Sequence, residues 1–154
     1  MRSVDEWFDS YGADHANPVN RMFHWFCVPA ILWAVIAFLW LIPVPVSLGR
    51  QGLWCGLVMV VVLSFYWRLS RGLFAAMFVS FVALALLTDW IYDSLGATRL
   101  AWLAGGVFVI AWVGQFIGHA IEGRRPSFLT DLAYLLIGPL WLMGKVLRAA
   151  GIRY

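Results

Sequence analysis

The chain carries 3 histidines, and all of them fall inside two short polar clusters of an otherwise hydrocarbon-like sequence. The first, 11–24, contains Asp14, His15, Asn17, Asn20, Arg21 and His24; the second, 115–122, contains Gln115, His119 and Glu122. Imidazole nitrogens beside a carboxylate suit non-haem iron, zinc or manganese. Asn20, Gln115 and Asp14 are side chains of the type that orient metal-bound rings through hydrogen bonds. Asn17, Asn20 and His24 are spaced by three and four and share one side of a helix. Gln115, His119 and Glu122 are spaced by four and three, a polar stripe on an apolar rod. His15 and His24, nine positions apart, would point in opposite directions on one unbroken helix. A break at Asn17-Pro18 removes that conflict and lets His15 fold back. Against this stands a plainer reading, in which any single histidine near a helix end is an interfacial polar residue. Glu122 is likewise placed to pair with Arg124, Arg125 or Arg21. Polar groups in or near a bilayer are costly unless they are used, and that all three histidines lie in such clusters makes a metal site a candidate.

The elements that must position these groups are apolar helices. Of 154 residues, 63% are hydrophobic and 12% are charged, about half the charge of an ordinary soluble domain, and mean hydropathy is +0.83. Such runs read as membrane spans, and the 10 Trp and 5 Tyr suit the membrane–water boundary. The net charge of +3 comes from scattered arginines, without the basic stripe that a nucleic-acid partner requires. Cys27 and Cys55 sit in apolar context and are expected as buried free thiols. The first apolar run lacks a basic flank before it and a small-residue cleavage site after it, so no cleaved signal peptide is expected.

In chain order, Ser3 and Glu6 form a capping box for a short amphipathic helix with Val4, Trp7, Phe8 and Tyr11 on one stripe, ended by Gly12. Asn17 caps the next helix with Pro18 at its first position. Spans are expected over 22–41, with a possible kink at Pro29, then 53–67, 72–90 and 100–119, the last two separated by a short loop carrying Arg99. Asp89 and Asp93 then mark a helix end. The final apolar stretch, 132–147, is expected to be broken at Gly138-Pro139 and to be re-entrant or interfacial. With that stretch not crossing, only Arg50 and Arg99 oppose the other basic residues, which the positive-inside rule favours with both termini cytoplasmic. The expected fold is therefore all-α: a single integral membrane domain, 1–154, with four spans, a broken fifth helix and an N-terminal amphipathic helix. Four crossings put His24 and His119 on one membrane face.

The pattern Tyr11-x3-His15-x-Asn17-Pro18-x-Asn20-x3-His24-x4-Pro29, joined to Trp112-x2-Gln115-Phe116-Ile117-Gly118-His119-x2-Glu122-Gly123-x2-Pro126, resembles a known family. It is similar to the small membrane 2-hydroxy-fatty-acid dioxygenases, which in fungi shorten fatty acids from phytosphingosine breakdown by α-oxidation. The likeness extends to Pro126-Ser127-Phe128-Leu129 and Gly138-Pro139-Leu140-Trp141. It implies an Fe(II) enzyme converting a long-chain 2-hydroxy acid and O2 to the acid one carbon shorter. His15, His24 and His119 would be the iron ligands, and Tyr11, Asn20, Gln115 and Glu122 the candidate catalytic residues. The chemistry is consistent, because a 2-hydroxy acid chelates iron through hydroxyl and carboxylate and supplies its own electrons. Neither 2-oxoglutarate nor flavin is then needed, and no G-x-G-x-x-G stretch is present. Arg21 or Arg125 could hold the carboxylate. The lipid bilayer would deliver the acyl chain directly, in a bacterial inner membrane or, in a eukaryote, the ER membrane, with the site on the cytoplasmic side.

Two other classes compete. The same three histidines around zinc would suit a lipid hydrolase or isomerase. A small transporter or scaffold would use them as proton or ion ligands, but a transporter should show matched broken helices in two halves, and only Gly138-Pro139 is visible. A di-iron hydroxylase or desaturase needs about eight His or carboxylate ligands, more than 3 histidines can support.

Overall fold

Capping chemistry decides where the first helices begin. Ser3 accepts from the Glu6 amide while the Glu6 carboxylate accepts from the Ser3 amide at 2.6 Å, starting α1 (Val4–Ala13). The Asn17 side chain accepts from the Val19 amide at 2.9 Å and Pro18 occupies the first turn of α2 (Pro18–Trp40). The computed structural model describes residues 2–126 and 132–154. They continue with α3 (Leu53–Leu69), α4 (Arg71–Glu122) and α5 (Tyr134–Ala149), and no strand occurs among them. The protein is all-helical. Ser127, Phe128 and Leu129, part of the family likeness, lie outside the described residues.

Several local expectations are corrected. Gly12 does not end α1, which runs one residue further. The loop expected at Arg99 shrinks to Gly96, whose φ of 79° and ψ of 166° lie in a region open essentially to glycine alone. That residue divides α4 into arms 71–95 and 97–122, so Asp89 and Asp93 sit within the first arm and Arg99 within the second. Gly138-Pro139 does not break the last helix either. Pro139 lies in the second turn of α5, where the missing N–H deprives only the Leu135 carbonyl. The neighbouring Leu136 carbonyl accepts from the Tyr66 hydroxyl at 2.8 Å, tying α3 to α5 beside the proline.

α2 packs most extensively on α4. The second arm of α4 runs antiparallel to it, with Gly118 against Asn20, Gly114 against Cys27 and Phe108 against Phe38. A larger core joins α1, α3, the first arm of α4 and α5 through Phe8, Tyr66, Leu73, Met77, Ile137 and Leu140. A smaller one, Ala37 with Leu100 and Ala104, lies beside the Gly96 break. Cys27 and Cys55 are buried free thiols. Large apolar side chains also face outward: Phe26, Trp102 and Ile110 are 73%, 80% and 74% exposed. α2 and α4 are long and apolar enough to cross a membrane. α3, with 17 residues, is apolar and shorter; its length is about 26 Å against a hydrocarbon core of about 30 Å.

Candidate metal centre

The turn after α1 delivers His15. The amides of Asp14 and His15 donate to the carbonyls of Tyr11 and Gly12 at 3.2 and 3.0 Å, closing the helix and reversing the chain before Asn17 restarts it. His15 thereby folds back onto His24, in the second turn of α2, and the two Nε2 atoms stand 2.9 Å apart. His119, in the last turn of α4, completes the group, with its ring centroid 5.0 Å from that of His15 and 5.1 Å from that of His24. One ring nitrogen from each histidine lies within 4.8 Å of the others, and all three side chains are buried.

Hydrogen bonding decides which nitrogens are available. His15 Nδ1 pairs with the Tyr11 carbonyl at 2.5 Å, and His24 Nδ1 with the Asn20 carbonyl at 2.9 Å. A carbonyl only accepts, so each Nδ1 carries the proton and each Nε2 of a neutral ring presents a lone pair. Two lone pairs facing at 2.9 Å repel unless a cation lies between or beside them. His119 adds a buried Nδ1 with no hydrogen-bond partner among the described residues. Burial also pushes the His15 imidazole below its ordinary pKa, favouring the neutral ring that a metal needs, against the opposing Tyr11 carbonyl bond. The donor set fits a divalent transition metal.

Close helix approach is what brings α2 and α4 together here. A Cβ at Gly118 would lie 2.5 Å from Asn20 Oδ1, and one at Gly114 would lie 2.7 Å from Cys27 Sγ. The two glycines are four apart on α4, a small-x3-small spacing that the sequence displays and that would have flagged this contact. Glu122 then clasps the α1–α2 connection. Its carboxylate accepts from the amides of Ala16 at 3.0 Å and Asn17 at 2.9 Å, and from Asn20 Nδ2 at 3.0 Å. The arginine pairing considered for Glu122 is replaced by these donors, because Arg124 reaches Asp14 instead, at 3.0 Å.

Aromatic rings wall the centre. Tyr11 stacks on His15 with centroids 4.1 Å apart, and Trp141 touches both Tyr11 and His15. Burial drives the Tyr11 phenol well above its ordinary pKa, so it stays protonated. Gly138 accommodates it, since a Cβ there would lie 2.9 Å from the Tyr11 hydroxyl. Tyr134, whose hydroxyl pairs with Ser10 at 2.6 Å, was not picked out by sequence reasoning, which had no signal separating it from other interfacial aromatics, and Trp141 entered only as part of the Gly138-Pro139-Leu140-Trp141 likeness, without a role. Gln115 is buried, yet it makes no hydrogen bond to a histidine ring among the described residues. It lines an apolar groove of about 380 Å3 between α2, α4 and α5, together with His24 and His119. Arg21 is half-buried and Arg125 exposed, and neither lines that groove.

Residues 1–150 match the family described as 2-hydroxy-palmitic acid dioxygenase Mpo1-like. The chain is 30% identical over 139 residues to the 2-hydroxy-palmitic acid dioxygenase MPO1 of Saccharomyces cerevisiae, covering 89% of this chain and 75% of that protein. No solved structure gives a significant match.

Proposed function

This chain belongs to the Mpo1-like family, and from that premise we propose that it is an Fe(II)-dependent dioxygenase of fatty-acid α-oxidation. Its substrates would be a long-chain 2-hydroxy fatty acid and O2, and its product the acid one carbon shorter, with no 2-oxoglutarate. The observation that carries the reading is the pair of facing Nε2 atoms, joined by His119 at the polar end of an apolar groove. His15, His24 and His119 would hold the iron, which supplies the one-electron chemistry that lets O2 react with a closed-shell substrate. Three protein ligands leave positions open for a substrate that chelates through two oxygens.

The remaining residues bind, orient and exclude. The backbone carbonyls of Tyr11 and Asn20 fix the His15 and His24 tautomers. Glu122 holds the His15-bearing turn against α4, a positioning task that uses both carboxylate oxygens. Tyr11 and Trp141 keep water from one side, and Gln115 faces the groove where the polar head of a substrate would lie. Arg21 and Arg125 stand outside it, so the carboxylate would rely on iron and Gln115 rather than on an arginine.

The exposed apolar belt supports a bilayer as solvent, with α2, α3 and the two arms of α4 as four crossings. In this reading α1 and α5 lie at one interface beside the site, both termini are cytoplasmic, and the chain forms one integral membrane domain. The test is direct. Detergent-purified protein should contain iron and should convert 2-hydroxypalmitate and O2, without added co-substrate, to the acid with one carbon fewer. An iron-loaded sample that yields no shortened acid would overturn the proposal.

A further inference from the structure

The groove that begins at the histidines has a defined length. On α2 its wall is His24, Val28, Ile31 and Val35; on the antiparallel arm of α4 it is His119, Gln115, Trp112 and Phe108. Eleven positions separate His24 from Val35, and eleven separate Phe108 from His119. Both helices therefore give the groove a length of about 16 Å, room for an extended alkyl chain of roughly a dozen carbons. The lining ends at Val35 and Phe108, and behind it Phe108 packs edge to face on Phe38, with centroids 5.6 Å apart. The groove also opens sideways, past the half-exposed Val35 and Leu135.

Polarity is graded along it. Among the described residues, its imidazole, amide and phenol groups gather at one end: His24, His119 with its unpartnered buried Nδ1, Gln115, and the neighbouring Tyr11 and Tyr134. From Val28 to Phe108 the α2 and α4 walls are aliphatic and aromatic. That gradient fits an amphiphile with a compact polar head and an apolar tail, lying with its head at the histidines.

We propose that this groove is the acyl-chain slot and that Phe108 and Val35, which face each other at its deep end, set the preferred chain length. The proposal rests on the dioxygenase reading for the identity of the head group. Two head carbons at the histidines plus the slot give a preference near roughly 14 carbons. Phe108→Ala deepens the slot by removing a ring, and the optimum should rise by roughly two carbons. Val35→Phe narrows the deep end from the opposite helix and should lower it by a similar step.

Two measurements test this on the iron-loaded, detergent-purified protein. The first is the chain-length profile of 2-hydroxy acids from 10 to about 20 carbons for the wild type, Phe108→Ala, Phe108→Leu and Val35→Phe. Opposite shifts at Phe108 and Val35, with the milder Phe108→Leu intermediate, support the slot; unchanged optima in variants that retain iron overturn it. The second is labelling without turnover, under anaerobic conditions, by a 2-hydroxy acid carrying a diazirine at its terminal carbon. Labels at residues 31–38 and 104–112, removed by excess 2-hydroxypalmitate, support the slot. Labels confined to outward residues such as Phe26 and Trp102, or not removed by competition, overturn it. Labelling in the groove without any shortened product would leave the slot standing and sink the dioxygenase reading. Normal product with labels elsewhere would do the reverse.

Discussion

Where α2 begins and α4 ends, segments 102 to 110 residues apart in sequence are joined by polar contacts, Glu122 to Ala16, Asn17 and Asn20, and Arg124 to Asp14. Where α2 ends and Gly96 breaks α4, the polar contacts are local: Gln51 donates to the carbonyls of Trp40 and Ile42, and Trp54 to that of Pro43, 9 to 11 residues away. The rest of that end is held by Ala37 packed on Leu100 and Ala104. One end thus makes its polar contacts with its own neighbours and meets α4 through apolar packing, whereas the other makes its polar contacts only after α1, α2 and α4 have docked. A metal centre assembled at the second kind of end gains rigidity from several elements, and it is exposed to any change that separates them.

The largest effects should come from the rings themselves. His15→Ala, His24→Ala and His119→Ala should each cut retained iron to below about a tenth of the wild-type content by elemental analysis; a variant that keeps its iron removes that histidine from the site. Next is the helix approach. Gly118→Val forces a side chain into Asn20 and should cost about 1–3 kcal/mol in detergent thermal unfolding, with loss of iron. Gly106→Ala, on the same arm with open space around it, should instead be neutral or stabilising by up to about 1 kcal/mol. Equal stability of the two would mean that close packing of α2 on α4 does not hold the histidine end.

Glu122→Gln keeps the shape but weakens charge-assisted bonds. Titration with ferrous iron should show roughly ten-fold weaker affinity, while the fold is retained. Unchanged affinity would reduce Glu122 to a structural tie. The smallest effect belongs to Arg124→Ala, which removes a solvent-exposed ion pair. Its cost should stay below about 1 kcal/mol and vanish at high salt, so a large, salt-independent loss would show that this pair matters more than its exposure implies.

Consecutive residues by themselves determined the all-helical, apolar character of the protein. They also determined the capping box at Ser3 and Glu6, the restart at Asn17-Pro18 and the placement of His24 and His119 on polar helix faces. Each of these rests on local stereochemistry or on helical periodicity, which a few neighbouring positions contain in full. Tertiary structure alone decided the rest. Nothing in the run around Pro139 reveals that α5 stays whole, because the Tyr66 hydroxyl beside it comes from α3. Nothing around Glu122 reveals that its partners are the amides of Ala16 and Asn17, or that Gln115 turns to the groove rather than to a ring. Those outcomes depend on the rotation and separation of helices distant in sequence. Here that separation is set by what fits between Gly114, Gly118 and the face of α2 that carries Asn20 and Cys27.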